Sequence, residues 1–173
     1  MTPRRLTLIR HPRPAVAPGV CYGRSDLPLA GDAAACAATL RPQLPAGGRV
    51  FTSPLRRCRE LALALRDDPV IDARLIEMDF GDWELRRWDE LPRAQLDAWA
   101  SAPLDFAPPG GEPVSAVLGR VRSFLAEYRN AGAIAIVTHA GVMKLFAAEL
   151  LGLPQAQWLA MRFPYGEPFP IGF

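Results

Sequence analysis

The chain has 173 residues, 50% of them hydrophobic, which is enough apolar material for one compact domain over residues 1–173. Its net charge is +2 and like charges form no long block, which argues against nucleic acid as a partner. No stretch reaches the roughly 20 apolar residues that a membrane span needs, so we expect a soluble, cytoplasmic protein with no membrane partner.

The cysteines predict neither disulfides nor a zinc site. Cys21, Cys36 and Cys58 are odd in number, lie far apart and form no CxxC pair. Reduced thiols of this kind are usual in the cytoplasm. The apolar run near the N-terminus spans only about five residues, which is shorter than the core of a signal peptide.

Four short apolar runs without strict alternation predict buried strands. In chain order they cover residues 6–9, 49–52, 69–71 and 133–138. Strands of this kind, alternating with helices, are typical of a mostly parallel sheet. The C-terminal segment FPYGEPFPIGF is rich in proline, so the sequence does not decide whether it adds a final strand.

Three helices are predicted between these strands. The first follows residues 49–52, with hydroxyl side chains at its cap and Pro54 in its first turn, and extends to Leu65. The second covers 114–128 and ends at Asn130–Gly132, and the third covers 141–151 and is closed by Gly152 and Pro154. We therefore expect an α/β fold, a three-layer αβα sandwich with helices on both faces and a small lid insertion at about 83–113.

The chain has two histidines, and each directly follows an apolar strand-like run. His11 comes after LTLIR and His139 after AIAIVT. A lone histidine is most often structural, but ligands bind beyond the carboxyl ends of parallel strands, where both imidazoles would lie. If the two strands are neighbours, the rings can face each other.

Cationic and helix-terminal groups accompany both histidines. Arg10 precedes His11, and Arg57 lies in the first turn of a helix at another strand end. Ala140 and Gly141 open a helix whose free N–H groups suit an anion. A phosphate would satisfy all these groups, whereas the neighbouring Arg56 and Arg59 are expected to be solvated.

Acidic candidates lie in LIEMDFGDWE. Glu77 and Asp79 alternate with apolar residues, so partial burial would raise the pKa of one of them toward the range of a general acid. The residue pattern does not choose between the two. Asp82 and Glu84 are interpreted as surface charges or turn residues.

The chemistry that this set favours is nucleophilic attack on phosphorus. A neutral imidazole attacks, arginines and a second, protonated histidine neutralise the phosphoryl oxygens, and a carboxylic acid protonates the leaving alcohol. No metal or other cofactor is needed. A metal site with the same residues is the weaker alternative, because the arginines repel a dication and no HxH or HxxxH spacing is present.

Four motifs together resemble the histidine phosphatase superfamily, which has the phosphoglycerate-mutase-like fold. They occur in the family's order between residue 6 and about residue 150: Arg10-His11, then Ser53-Pro54-Leu55-Arg56-Arg57, then Leu75-Ile76-Glu77 with Phe80-Gly81-Asp82-Trp83-Glu84, then Thr138-His139-Ala140-Gly141-Val142. The resemblance implies that His11 is the nucleophile that becomes phosphohistidine. It also implies that Arg10, Arg57 and His139 bind the phosphoryl group and that Glu77, rather than Asp79, donates the proton.

Two departures from the family pattern stand out. The family's Arg-His-Gly is Arg10-His11-Pro12 here. Ala17 lies in the region where the family has an Asn that binds the phosphate, and Arg13 or Arg24 could replace that ligand. The usual Trp-Glu-Gly is Trp83-Glu84-Leu85.

Within the superfamily, the stretch RHPRPAVAPGVCYGRSDLPLA is most similar to α-ribazole-5′-phosphate phosphatases of the bacterial cobalamin pathway. This similarity implies a small, nucleotide-like phosphomonoester as substrate, bound by Tyr22, Gly23 and Arg24, with Trp83 as a further wall. Tyr22 and Trp83 could equally be core residues, and Arg24 or Asp26 could belong to a surface turn. The alternatives are a broad-specificity phosphatase, a mutase-type enzyme or an inactive phosphate-ester-binding module, and a homodimer is possible for each.

Overall fold

A computed structural model describes residues 5–128 and 131–172. Its central sheet has five strands in the order β3-β2-β4-β1-β5. Strands β1 to β4 pair in parallel, and β5 pairs antiparallel to β1. The strands are β1 (Arg5–Arg10), β2 (Arg49–Thr52), β3 (Val70–Ile71), β4 (Ile134–Thr138) and β5 (Pro168–Gly172). The predicted α/β fold with a mostly parallel sheet is confirmed.

Six α-helices flank this sheet in the described part of the chain. They are α1 (Ala33–Leu40), α2 (Arg56–Leu65), α3 (Arg93–Ser101), α4 (Val114–Tyr128), α5 (Ala140–Leu151) and α6 (Gln155–Ala160). None of these described helices is long and apolar enough to cross a bilayer. The cytoplasmic location stays a prediction.

Both faces of the sheet are covered, which explains the absence of alternation in the strand sequences. Leu8 and Ile136 belong to one core cluster, with side chains of α4 and α5, and Ile9 and Val137 belong to a second, with side chains of α1 and α2. Successive strand residues point to opposite faces, so an apolar residue is needed at every position.

The predicted helices agree closely with the observed ones, except at one start. The α4 helix has the predicted bounds; Asn130, part of its predicted stop, lies outside the described residues. Gly152 closes α5 at φ +62, a left-handed conformation that favours glycine. Helix α2 begins at Arg56, two residues after Pro54, and its cap residue Leu55 has no side-chain cap. The expected hydroxyl cap was wrong, because the hydroxyl of Ser53 faces His139 instead.

The structure decides the C-terminal segment, which the sequence left open. The proline-rich segment forms β5, with Pro168 opposite Ile9 and Pro170 opposite Thr7. Proline lacks an N–H, but an edge strand needs ladder bonds on one side only and therefore tolerates it. At the other edge, β3 covers only Val70–Ile71, and Ile71 is 57% exposed rather than buried.

Residues 83–113 pack as a small aromatic group beside the sheet. Trp83, Leu91 and Cys21 are buried there, and partly buried aromatic and aliphatic side chains surround them: Phe80, Trp88, Leu96, Trp99 and Phe106. Backbone bonds tie this group to the loop after β1, because Leu85 N–H donates to the Cys21 carbonyl at 2.8 Å and Trp88 N–H to the Gly19 carbonyl at 2.9 Å. That this segment acts as a lid stays a prediction.

Leu85 has a backbone conformation that costs free energy. Its φ is +63, in the left-handed region where an L side chain crowds the backbone, and its side chain is 58% exposed. The same position carries glycine in the related Trp-Glu-Gly pattern. The turn geometry thus explains that glycine, and this chain retains the turn without it.

We expect Leu85→Gly to stabilise the protein. Relief of the left-handed strain outweighs the extra entropy of glycine in the unfolded chain, for a net gain of up to about 1 kcal/mol. The midpoint of urea unfolding should rise. Leu85→Ala is the matched control, because it keeps Cβ and should gain little; a lower midpoint for Leu85→Gly would contradict the strain.

Candidate active site

The pairing of β1 with β4 brings the two histidines together. Arg10 is opposite Thr138 in the parallel register, and His11 N–H donates to the Thr138 carbonyl at 3.0 Å. The imidazole centroids of His11 and His139 are 5.2 Å apart. Both side chains are buried at the carboxyl edge of the sheet, where the sequence predicted that they meet.

His11 presents Nε2 toward its neighbours as an acceptor. Its Nδ1 lies 2.7 Å from the Pro12 carbonyl, and because a carbonyl only accepts, Nδ1 carries the proton. Arg57 Nε donates to His11 Nε2 at 3.3 Å. Burial, with help from the Arg57 and Arg10 charges, lowers the pKa of His11 to about 3 against the hydrogen bond to Pro12. The imidazole is therefore neutral at pH 7.

Arg57 is fully buried, unlike the exposed Arg56 and Arg59, in agreement with the helix-face argument. Its Nη1 donates to the Ser25 carbonyl at 2.7 Å and its Nη2 to the Gly23 carbonyl at 2.6 Å. These two bonds and the bond to His11 fix the plane of the guanidinium. The loop at 23–25 thus orients the cation beside His11.

Arg10 is held at the opposite side of the site. Its Nη1 donates to the Phe163 carbonyl at 2.8 Å, and its guanidinium carbon lies 3.6 Å from the ring centroid of Tyr165. Its Nε is buried and has no hydrogen-bond partner within residues 5–128 and 131–172. An anion in the site would satisfy this donor.

His139 caps the N-terminus of α5. Its Nε2 lies 2.8 Å from Ser53 Oγ and 3.5 Å from Cys58 Sγ. Burial, followed by the effects of His11, Arg57 and Arg10, lowers its pKa well below the usual value. In the ligand-free site its burial and its cationic neighbours both disfavour a proton, whereas the protonated second histidine expected beside a phosphoryl group stays a prediction.

Glu77 is the carboxyl that faces the site. Its Oε1 accepts from Met78 N–H at 3.0 Å and its Oε2 from Gly141 N–H at 3.2 Å. Burial raises its pKa, although these bonds and both arginines oppose the shift. A Cβ at Gly141 would lie 2.6 Å from Glu77 Oε1, so this approach requires glycine. Asp79 instead accepts from Gly81 N–H at 2.9 Å and is not part of the cleft wall.

A cleft of about 380 Å³ opens over these groups. Arg10, His11, Glu77 and Ala140 line its inner end, and Arg57 and His139 lie behind His11. The remaining wall is mainly apolar and aromatic: Pro14, Val16, Ala17, Pro18, Gly19, Val20, Tyr22, Phe80, Trp88 and Tyr165, with Arg13. The cleft is wide enough for a phosphoryl group and part of the alcohol attached to it.

Of the residues predicted to contact the substrate beyond the phosphate, only Tyr22 lines the cleft. Tyr22 lines the cleft and its hydroxyl lies 2.7 Å from that of Tyr165, whereas Gly23 is buried and contributes its carbonyl to Arg57. Arg24 faces away from the cleft, because Nη2 donates to Glu112 at 2.9 Å and Nη1 lies 3.5 Å from Asp79. Trp83 is a buried core residue and not a wall, which corrects that interpretation.

Glu84 lies in a turn, one of the two interpretations that its sequence allowed, and it anchors the loop that holds Arg57. Its carboxylate accepts from the N–H groups of Arg24 and Ser25, both at 2.7 Å, and from Phe80 N–H at 3.2 Å. It also accepts from the Ser25 hydroxyl. Burial opposes the charge, but these bonds lower the pKa of Glu84. Asp26, at the end of the loop, accepts from the Arg56 N–H that opens α2.

Sequence reasoning missed Tyr165 and Trp88. Tyr165 belongs to the C-terminal segment whose structure the sequence left open, and Gly166 N–H donates to the Arg10 carbonyl at 3.0 Å. A Pro-Tyr-Gly turn was the only local signal for it. Trp88 follows Trp83 by five residues, and nothing in the pattern says which of the two faces a ligand.

Groups suited to a metal are scarce around this site. Over the described ranges 5–128 and 131–172, no cluster of three or more His, Cys, Asp or Glu side chains could hold a metal ion. The three cysteines are all free.

Comparison with known proteins gives one consistent family. The sequence model described as the histidine phosphatase superfamily (branch 1) matches residues 6–167. An adenosylcobalamin/α-ribazole phosphatase of Salmonella typhimurium is 33% identical over 94% of this chain and 87% of its own. A glucosyl-3-phosphoglycerate phosphatase of Mycolicibacterium vanbaalenii is 33% identical over 91% of this chain and 79% of its own.

Solved structures agree with the sequence comparison. The α-ribazole phosphatase from Shigella flexneri superposes with a TM-score of 0.82 at 31% identity, over 96% of this chain and 89% of that one. A mycobacterial glucosyl-3-phosphoglycerate phosphatase, solved with VO3, gives a TM-score of 0.82 at 27% identity, over 96% and 92% of the two chains. Since the match covers nearly the whole chain and both strand-end histidines, this protein belongs to the histidine phosphatase superfamily and is a phosphatase.

Proposed function

We propose that the protein hydrolyses small phosphomonoesters in two steps through a phosphohistidine on His11. The observation that carries the proposal is the hydrogen bond from His11 Nδ1 to the Pro12 carbonyl at 2.7 Å. It keeps the proton on Nδ1, so that the Nε2 lone pair is available for attack once a phosphoryl group replaces the contact with Arg57. A pKa of about 3 keeps this nitrogen unprotonated at neutral pH.

In the first step, His11 Nε2 forms a bond to phosphorus as the bond to the ester oxygen breaks in line. Arg10 Nε, which is buried without a partner in the described chain, and the free N–H groups of Arg57 bind the phosphoryl oxygens. The N-terminus of α5 beside His139 adds to the positive potential there. No carboxylate of the described residues pairs with Arg57 to neutralise it.

Glu77 serves as the acid and then as the base. Its raised pKa favours the protonated form, which gives its proton to the departing alkoxide. In the second step the resulting carboxylate takes a proton from water as the water oxygen attacks phosphorus. The N–P bond then breaks, its electron pair returns to His11 Nε2, and inorganic phosphate leaves.

α-Ribazole 5′-phosphate is the substrate we propose. Relatives named for activity on α-ribazole phosphate match this chain over most of both lengths, and so do relatives named for other phosphate esters. The stretch from Arg10 to Ala30 favours the first group. We further propose that the chain is a single domain over 1–173 that works in the cytoplasm; a homodimer is possible.

His11→Asn should remove turnover. Loss of the nucleophile lowers kcat for 4-nitrophenyl phosphate by on the order of 10³ or more, while circular dichroism stays unchanged. Alkaline quenching of the wild type should trap protein-bound phosphate that is labile to acid, and EDTA should change no rate. A fully active His11→Asn, or inactivation by EDTA, would overturn the mechanism.

Glu77→Gln should slow esters according to their leaving group. An alkoxide such as that of ribose 5-phosphate needs the proton and should react about 10²-fold slower or worse, whereas nitrophenolate leaves without it. The measured quantity is the ratio of kcat/KM values for the two esters in each variant, because kcat/KM reports the first step and the hydrolysis of the shared phosphohistidine does not enter it. Asp79→Asn is the matched control with no change in ratio; a ratio that shifts in Asp79→Asn instead would reassign the acid.

His11 should stay neutral from pH 8 to pH 5 in the ligand-free protein. His11 binds a proton near pH 3 when folded and near 6.5 when unfolded, so between these values the unfolded state binds more protons and stability falls as pH falls. Because of His11, the free energy of unfolding should fall by about 2 kcal/mol when the pH is lowered from 7 to 5. Urea unfolding of the wild type against His11→Asn measures this loss, and imidazole NMR shifts that titrate near 6.5 would contradict it.

A further inference from the structure

The cleft is larger than the phosphate site at its inner end requires. At about 380 Å³ it falls within the range of roughly 300–1,000 Å³ that is typical of pockets for small organic ligands. Arg10, His11 and Glu77 form only part of its described wall, and most of the other lining residues are apolar or aromatic. The outer part must therefore contact the alcohol portion of the ester.

Trp88 is the largest side chain of this outer wall, and its neighbours hold it rigidly. Its indole stacks on Trp99 at a centroid distance of 5.8 Å and an interplanar angle of 11°. Phe80, which also lines the cleft, meets it edge to face at 5.6 Å and 88°. The backbone N–H of Trp88 also donates to the Gly19 carbonyl. This bond ties the segment that carries the indole to the loop after β1, so the two form one preorganised wall.

The charge of the wall limits what can bind against Trp88. Glu77 is the only acid among the lining residues, and beyond the phosphate end Arg13 is the only formal charge. Arg13 is exposed, and its guanidinium carbon lies 5.5 Å from the Tyr165 ring. No second cluster of cations lines the cleft that would take the carboxylate or second phosphate of a small phosphorylated acid.

We propose that Trp88, with Phe80 at its edge, forms a stacking subsite for a flat aromatic ring carried by the substrate's alcohol. The chemical class is therefore a phosphomonoester with a neutral heteroaromatic ring, and Trp88 is the residue that selects it. This inference rests on the proposed phosphatase chemistry and adds a specificity determinant to it. Apolar stacking is insensitive to ring identity, so a benzimidazole and a purine both fit the subsite.

The test compares two esters that share one leaving group. Ribose 5-phosphate and α-ribazole 5′-phosphate both release a primary alkoxide at C5′, and only the second carries a ring. The wild type should favour the ring-bearing ester in kcat/KM, and Trp88→Ala should lower that preference about tenfold, the loss usual for one stacked base. Trp88→Phe should keep most of the preference, whereas Trp88→Leu, which retains apolar bulk but no ring face, should lose it.

The Phe and Leu variants keep the test decisive if Trp88→Ala fails to fold, because both preserve much of the packing against Trp99. Leu85→Gly is the matched control in the same segment, since Leu85 is exposed and outside the cleft wall, and its preference should equal that of the wild type. Equal kcat/KM for the two esters in the wild type, or equal losses for both in Trp88→Leu, would overturn the subsite while leaving the phosphatase mechanism intact. A wild type that hydrolyses neither ester would overturn the proposed function itself.

Discussion

The buried guanidinium of Arg57 is the interaction on which the rest of the site depends. It is fully buried, and no carboxylate within the described residues pairs with it. A buried charge without a counter-ion is costly, and here two backbone carbonyls, one imidazole nitrogen and the ring of Tyr22, whose centroid lies 5.3 Å from the guanidinium carbon, compensate it in part. A phosphate dianion would supply the missing charge, so the site gains most from the ligand that it is built to receive.

Burial and the charge of Arg57 together shift the pKa values of the neighbouring groups. Burial together with Arg57 and Arg10 lowers the pKa of both histidines, which leaves His11 neutral and nucleophilic. The same cations oppose the rise in the pKa of Glu77, yet burial dominates. One arrangement therefore keeps the His11 imidazole neutral and shifts the Glu77 carboxyl toward its protonated form, the two states that the proposed first step needs. Its cost appears as lower stability in acid.

Precise placement of Arg57 requires support from a distant part of the sequence. Glu84 accepts hydrogen bonds from the backbone of Arg24 and Ser25, and the carbonyls on the other side of that loop hold the guanidinium. Gly23 leaves no space for a Cβ, which would lie 2.0 Å from the Met78 carbonyl. The aromatic group around Trp88 packs on the same segment, so the walls of the cleft and the phosphate end share one framework.

The sequence by itself determined the parallel strands, the helices α2, α4 and α5, and the two histidines and two arginines at strand ends, because periodicity and strand-end position are local properties. Only the tertiary structure decided which tryptophan lines the cleft, since Trp83 and Trp88 are five residues apart and their local sequences do not show what packs on each of them. It also decided that Glu84 anchors the loop at residues 23–25 and that Arg24 faces away from the cleft. The proline-rich C-terminal segment completes the edge of the sheet, and Tyr165 in that segment packs on Arg10. These outcomes depend on contacts between residues more than 50 positions apart, and no local pattern encodes such contacts.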